Sequence, residues 1–405
     1  MSRFVVRRLP ASLSEAAIKA VWRASRDAKR NKSGAPGLDG ENASSFQGQL
    51  SENIKNVRRD IQLSRFTFGR LRGAPVVKAS GGMRLIAIPN VRARLVQRCL
   101  LAHLESDKKF PQMSSIAYGF TKARTLKCAQ LKMLELRNSY PWVLQVDIIK
   151  FFDEIQRSDV KKLVRRHVRS KIVSELLCSA VDCEIDDRID RIRIYAQDSG
   201  VRRGAGLRQG MPVSPLLSNL LLREFDAALV KRGLQAVRYA DDIAIFANSK
   251  QECRDNLDFV KAELGKLKLR ISDIEDLKKT IISGPETTVY ILGVDIKKVG
   301  HTYELRAPNK KIENIKAHMK SASSLDECIK KRYSLAKVSS ILDSFVVGHF
   351  AALSVVADRE QFLNRISAEK ENCIKGLLVE LFGQSVVDNL DNNKRAVLGL
   401  GEFTT

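Results

Sequence analysis

Cysteine is scarce in this chain, and the few residues present follow no pairing pattern. There are seven (Cys99, Cys128, Cys178, Cys183, Cys253, Cys328 and Cys373), an odd number, with no C-x-x-C anywhere. A disulfide framework is excluded, and Cys178 and Cys183 have no His or Cys pair to complete a zinc site, so reduced thiols in a cytoplasmic protein are expected. The opening MSRFVVRRLP has charge but no apolar core of signal-peptide length. No run approaches the ~18 apolar residues of a membrane span. The longest apolar-rich stretch, FVVGHFAALSVVA, is shorter and carries His349. Neither an amphipathic basic helix nor a lipidation motif is found, so no membrane partner is expected. Internal repeats, Pro-rich linkers and low-complexity tracts are also missing.

Acidic charge is in short supply relative to basic. Seventy Lys and Arg face forty-six Asp and Glu, a net +24. A polyanion is the natural partner for such an excess, because each phosphate neutralised releases condensed counterions. At 405 residues, 44% of them hydrophobic, the chain exceeds a single core and predicts two or three packed subdomains.

Ser12 and Glu15 read as a capping box opening a helix of roughly residues 12–30, which stops at the loop NKSGAPGLDG. APVVKASGGMRLIAIP predicts a hairpin around Gly-Gly, and Leu95, Val96, Cys99 and Leu100 predict a helix after it. WVLQVDI (142–148) has the continuous apolar character of a buried strand. Helices are predicted near 158–168, through SPLLSNLLLREFDAAL, and from Cys253 to Leu267. TVYILGVDI reads as one more strand, and the chain beyond about 300 as lysine-rich helices. CEIDDRIDRIRIYAQDSGVRR, with Ile alternating with charge, reads as a half-exposed strand without chemistry.

AVRYADDIAIFA reads as two strands joined at Asp241 and Asp242. Two carboxylates at one turn repel, and a cation or protonation relieves them; Asp-Asp is also ordinary, hydrated turn chemistry. A third carboxylate alters the balance, since Asp147 ends the buried strand WVLQVD. If the strand ends adjoin, three hard oxygen donors suited to Mg²⁺ converge. Two such ions, about 3.5–4 Å apart, activate a hydroxyl and stabilise a departing pyrophosphate.

These segments resemble a bacterial reverse transcriptase of the group II intron-like kind. The resemblance runs in order through GAPGLDG (34–40), GGMRLIAIPNVRARLVQRCL (81–100), VDIIKFFDEI (146–155), GLRQGMPVSPLLSNLLLREFD (206–226), YADD (239–242), LKKTIIS (277–283) and YILGVDI (290–296). It implies an α+β right-hand polymerase fold: an N-terminal helical extension (1–30), fingers (31–140), a palm with an antiparallel sheet packed on helices (141–300) and a helical thumb (301–405). Asp147 and Asp241 would bridge two Mg²⁺ ions (Mn²⁺ as an alternative), with Asp242 less direct and the Ile148 carbonyl a further ligand. Phe152 would stand under the incoming sugar and exclude a 2′-hydroxyl; Lys78 and Arg84 would clamp the triphosphate, whose oxygens suit Arg's planar fork. Gln209 would support the nascent base pair, Lys279 would assist the leaving pyrophosphate, and Leu292 and Gly293 would form the primer-grip turn. Arg208 departs from the resemblance, standing where many relatives have proline.

The implied activity is RNA-directed DNA synthesis from dNTPs, on an RNA template that is structured and noncoding, giving a cDNA product. No His-Asn-His or cysteine-paired nuclease follows, so a free-standing enzyme of antiphage defence in the bacterial cytoplasm is expected. The rival readings are a retron-like or maturase-type RNA-binding protein and template-independent or protein-primed synthesis.

Overall fold

A computed structural model of the chain describes residues 7–29, 35–77, 82–121, 124–273, 280–398 and 400. Among these, nine strands form three sheets and the remaining regular structure is helical, an α+β arrangement. The chain divides into two units: one of residues 1–125, 144–245 and 251–282, the other of 126–143, 246–250 and 283–405.

In the first unit β1 (Arg72–Val77) and β2 (Met83–Ile88) form the predicted antiparallel hairpin, with Val76 opposite Arg84. β2 alternates, Leu85 and Ala87 buried and Arg84 exposed, as a two-residue side-chain period dictates. The helix Val91–Ser106 follows, burying Leu95, Val96, Cys99 and Leu100. β3 (Trp142–Asp147), β4 (Gln235–Tyr239), β5 (Asp242–Ala247) and β6 (Ile281–Ser283) make a sheet in the order β4-β5-β3-β6. β3 and β5 are its inner strands, which is why both are apolar almost without alternation: Val143, Leu144 and Val146 are buried, as is the whole of Ile243 to Ala247. Helices Arg157–His167 and Ser214–Lys231 occupy the predicted segments, the latter with Pro215 in its first turn.

Three expectations need correction here. The N-terminal helix is shorter and capped elsewhere. Ser14 is the cap, its hydroxyl accepting from the Ala17 N–H at 3.2 Å, which puts Glu15 at the first helical position rather than the third, as a capping box requires. The Ser12 hydroxyl bonds His103 Nδ1 instead (2.8 Å), and helix Glu15–Ala24 ends at an extended Ser25. Within the segment expected as a half-exposed strand, Asp190–Ser199 is a helix ended by a left-handed Gly200 (φ 79°). Its half-buried positions, Ile192, Tyr195, Ala196 and Ser199, keep helical spacing, while Ile189 and Ile194 stay exposed. The Ile–charge alternation imitates a strand because Ile185, buried ahead of the helix, and Ile192 within it both lie over Gly73 of β1.

The third correction lies in the second unit, where TVYILGVDI is a hairpin rather than one strand. β7 (Val289–Ile291) and β8 (Val294–Val299) turn at Leu292 and Gly293, both at positive φ (49° and 79°), and β9 (Thr302–Arg306) completes an antiparallel sheet β7-β8-β9. The lysine-rich helices follow. Helices Asn309–Ser323, Leu335–Ala352 and Arg359–Phe382 bury Ile312, Ile315, Met319, Val338, Leu342, Phe362, Ile366 and Leu378. Helix Leu335–Ala352 also departs from the sequence expectation. Its 18 residues, with mean hydropathy 1.2, are long and apolar enough by length and composition to cross a membrane. The apolar stretch starting at Phe345 omitted the preceding turns, where Lys337 and Asp343 are the only fully charged residues.

Candidate active site

Arg84, Asp147, Ile148, Phe152, Gln209 and Asp241 line one cavity of about 270 Å³ in the first unit. A sequence distance of more than 90 residues, from Asp147 to Asp241, is closed by the sheet, which brings the end of β3 to the β4–β5 turn. Asp242, the next residue, does not line the cavity; it is solvent-exposed at the start of β5 yet close to many protein atoms. Burial first, then the negative charges of Asp241 and Asp147, push its carboxyl up to about 6. Three carboxylates therefore feel one another here. Among the described residues no three acidic, His or Cys side chains enclose an ion by themselves. Mg²⁺ asks for less than a full protein cage, since it binds through one or two carboxylates and keeps waters and phosphate oxygens.

The turn carrying Asp241 is held from beneath. Ala240 sits in the left-handed region (φ 60°), a conformation that costs a non-glycine residue ~1–2 kcal/mol. Arg238, wholly buried, donates from Nη1 to the Ala240 carbonyl (3.0 Å) and to Asn219 Oδ1 (2.9 Å), while its Nε and Nη2 pair with both Asp226 oxygens at 2.6 Å. Asn219 in turn donates to the Gly119 carbonyl (2.7 Å). Gly119 has no alternative there, because a Cβ would stand 2.6 Å from the Ala240 nitrogen.

The floor of the cavity is double-layered aromatic. Phe151 is buried and Phe152 half-buried, their ring centroids 5.2 Å apart. Gln209 reaches the cavity on a loop pinned at both sides: its carbonyl accepts from the Ala87 N–H of β2 (2.7 Å), and Leu207 N–H donates to the Phe152 carbonyl (2.7 Å).

Two expected site residues, Lys78 and Lys279, lie outside the described residues. Leu292 and Gly293 belong to the second unit, where Gln130 Nε2 donates to the Leu292 carbonyl (2.9 Å) and Lys311 Nζ to that of Gly293 (3.4 Å). Two cavity residues escaped the sequence reading. Lys150 follows Asp147 by three positions, has left-handed backbone (φ 44°) and lines the cavity, so a basic residue beside an acidic strand end was the available signal. Phe120 is half-exposed, also at positive φ (57°), with no periodicity to flag it. It additionally lines a larger cavity, about 390 Å³, with Leu104, Phe110, Arg124 and Leu216 but not Asp147, Asp241 or Asp242.

Residues 76–296 match the family model described as reverse transcriptase (RNA-dependent DNA polymerase). The chain is 28% identical to Protein YkfC of Escherichia coli (strain K12) over 49% of itself and 51% of that protein. It is 28% identical to the retron Ec73 reverse transcriptase of Escherichia coli, over 60% of itself and 73% of that protein. To the retron Ec86 reverse transcriptase of the same species it is 36% identical, over 54% of itself and 60% of that protein. The chain thus spans about half the length of YkfC. With the family match covering more than half of the sequence, and the paired aspartates seated together in its fold, this chain belongs to the reverse transcriptase family.

Proposed function

We propose that the chain is an RNA-directed DNA polymerase that copies a structured noncoding RNA into cDNA with Mg²⁺. The observation that carries this is the shared cavity of Asp147, Asp241, Arg84, Phe152 and Gln209, and the net +24 charge supplies the attraction for template and product. The donor set fits a hard divalent cation: all-oxygen, clustered, and with Asp242 made more basic by burial and then by Asp241 and Asp147. Asp147 and Asp241, assisted by Asp242 and the Ile148 carbonyl, would hold it. When bound, Mg²⁺ (or Mn²⁺) would make a 3′-hydroxyl acidic and offset charge on the leaving pyrophosphate.

The chain's own residues do the rest. Arg84 orients the triphosphate with a fork of donors, Lys78 and Lys150 add positive charge, and Lys279 serves the leaving group. Phe152 sets the floor under the sugar, where a 2′-hydroxyl meets its ring. Gln209 supports the new base pair, and Leu292–Gly293 guide the primer. Synthesis on an RNA template with radiolabelled dNTPs tests the proposal: activity that requires Mg²⁺ and is lost in Asp241→Asn supports it, and product from Asp147→Asn/Asp241→Asn at wild-type yield overturns it. The expected cytoplasmic role in antiphage defence is tested by the same variant in phage-challenged cells.

A further inference from the structure

We infer that Glu184 is a positioning residue that fixes the spacing between Phe152 and Gln209, and thereby the pocket's choice between deoxyribose and ribose. This rests on the cavity being a nucleotide site. Glu184 does not line the cavity; it acts through the run 204–209, whose last residue, Gln209, does.

One carboxylate ties that run at several points. Its Oε1 accepts from Arg157 Nη1 (2.7 Å) and from the Gly204 N–H (2.8 Å), and its Oε2 accepts from Arg208 Nη2. Arg157 is 6% exposed and Arg208 3%, so both cations depend on this acid within protein. Arg157 then grips the run's backbone, Arg208 ties it to Arg202 just ahead of it, and Ser214 holds its far end. Arg157 Nε donates to the Gly206 carbonyl (2.8 Å), Arg208 Nη2 to that of Arg202 (2.7 Å), and Ser214 Oγ to that of Arg208 (2.9 Å). Burial alone would raise the Glu184 carboxyl, but the hydrogen bonds from Arg208, Gly204 and Arg157 outweigh it and hold it below the ordinary value.

What the clamp holds is the contact with Phe152. Leu207 N–H meets the Phe152 carbonyl and Gly206 N–H that of Ile155 (3.0 Å). At Gly206 (φ 73°) a Cβ would lie 2.8 Å from the Phe152 and Asp153 carbonyl oxygens, so the run lies directly on that backbone. Two residues on, Gln209 enters the cavity. Take away the negative charge and two enclosed guanidinium groups repel, which is costly where water cannot screen them. The run lifts, and the floor under the sugar separates from the support under the base.

The test uses the purified full chain, a DNA primer on an RNA template, and single-nucleotide incorporation with dNTP and rNTP. In Glu184→Gln, KM for dNTP should rise about tenfold and the dNTP/rNTP ratio of kcat/KM fall by a similar factor, equivalent to ~1.4 kcal/mol of lost positioning. At saturation kcat should stay within about twofold, marking lost ground-state positioning. Arg208→Met, which leaves one cation matched to one acid and so folds more readily, should move KM and the ratio the same way. Arg208→Lys keeps the charge and should restore both. A structural role alone would lower the melting midpoint and active fraction without moving KM or the sugar ratio. That result in Glu184→Gln, or in Arg208→Met if the first variant does not fold, overturns the inference while polymerisation by the wild type stands. A wild-type chain that incorporates no nucleotide overturns the nucleotide-site reading, and this inference with it.

Discussion

Replacing Asp226 by Asn strips the counter-charge from an ion pair that solvent barely reaches. Asp226 is 1% exposed and Arg238 0%, joined by two bonds of 2.6 Å. Removing one partner of a buried pair costs ~3–5 kcal/mol because the other charge stays enclosed and unmatched. At ~2–4 °C per kcal/mol for a unit of this size, the melting midpoint should fall by roughly 6–20 °C. An Asp226→Leu/Arg238→Met double variant removes both charges. It still strands Asn219 Oδ1 and the Ala240 carbonyl, so its loss should be ~1–3 kcal/mol, less than that of the single variant. Activity should not follow stability. With the Ala240 carbonyl released, the turn bearing Asp241 shifts, and the double variant should remain about 10²-fold slower than wild type. Thermal unfolding by circular dichroism and primer extension on the same preparations measure both. A double variant no more stable than the single one refutes the charge reasoning; a double variant with wild-type turnover refutes the positioning of Asp241 by Arg238.

Phe152→Val should raise ribonucleotide incorporation about 10-fold or more while leaving dNTP use nearly intact, since one bulky contact is worth ~1–3 kcal/mol; unchanged sugar selectivity removes the gate role. Asp242→Asn should raise the melting midpoint of metal-free protein near pH 7.5, because the native carboxyl titrates at about 6 against ~3.9 when unfolded. The penalty of ionising it is fully present above its folded value and disappears as pH falls through the unfolded one, so the two midpoints should converge in acid; a gap that widens on acidification contradicts the shift. In the second unit Arg137, wholly buried, donates to the carbonyls of Pro141, Gly284 (2.7 Å) and Thr287 (3.3 Å) with its guanidinium 4.6 Å from the Tyr303 ring centroid. Arg137→Leu should cost about 3 kcal/mol or more in urea unfolding through those stranded acceptors; a loss below ~1 kcal/mol means water replaces it without penalty.

Much of the architecture was readable because burial imposes a period. Inner strands β3 and β5 declared themselves by unbroken apolar runs, and Cys253, Leu257, Val260 and Leu264 by helical spacing along Lys250–Lys266. Failures came where one face carried too little information. Asp190–Ser199 buries no residue completely, so its composition was free to mimic a strand; the β7–β8 turn escaped the apolar pattern, because Leu292 takes a backbone conformation usually left to Gly or Asn, and only the resemblance pointed to a turn at Leu292 and Gly293. The Ser12 reading failed by two positions: two serines competed for the cap, and a distant histidine, His103, engaged the first. Within the cavity, Arg84, Asp147 and Asp241 stand in segments whose order in the sequence drew notice, while Lys150 and Phe120 do not. Behind it, Glu184 gave no signal, since an acid acting through two arginines shows only in three dimensions.

The close approach of Gly119 to Ala240 makes two distant stretches of chain into one mechanical part. With no side chain between them to compress or rotate, neither backbone slides without carrying the other. Phe120 is the next residue after that contact, and its ring borders both cavities. A change of side chain at Phe120 is therefore made one residue away from the contact that seats the Asp241 turn, and both cavities would register it.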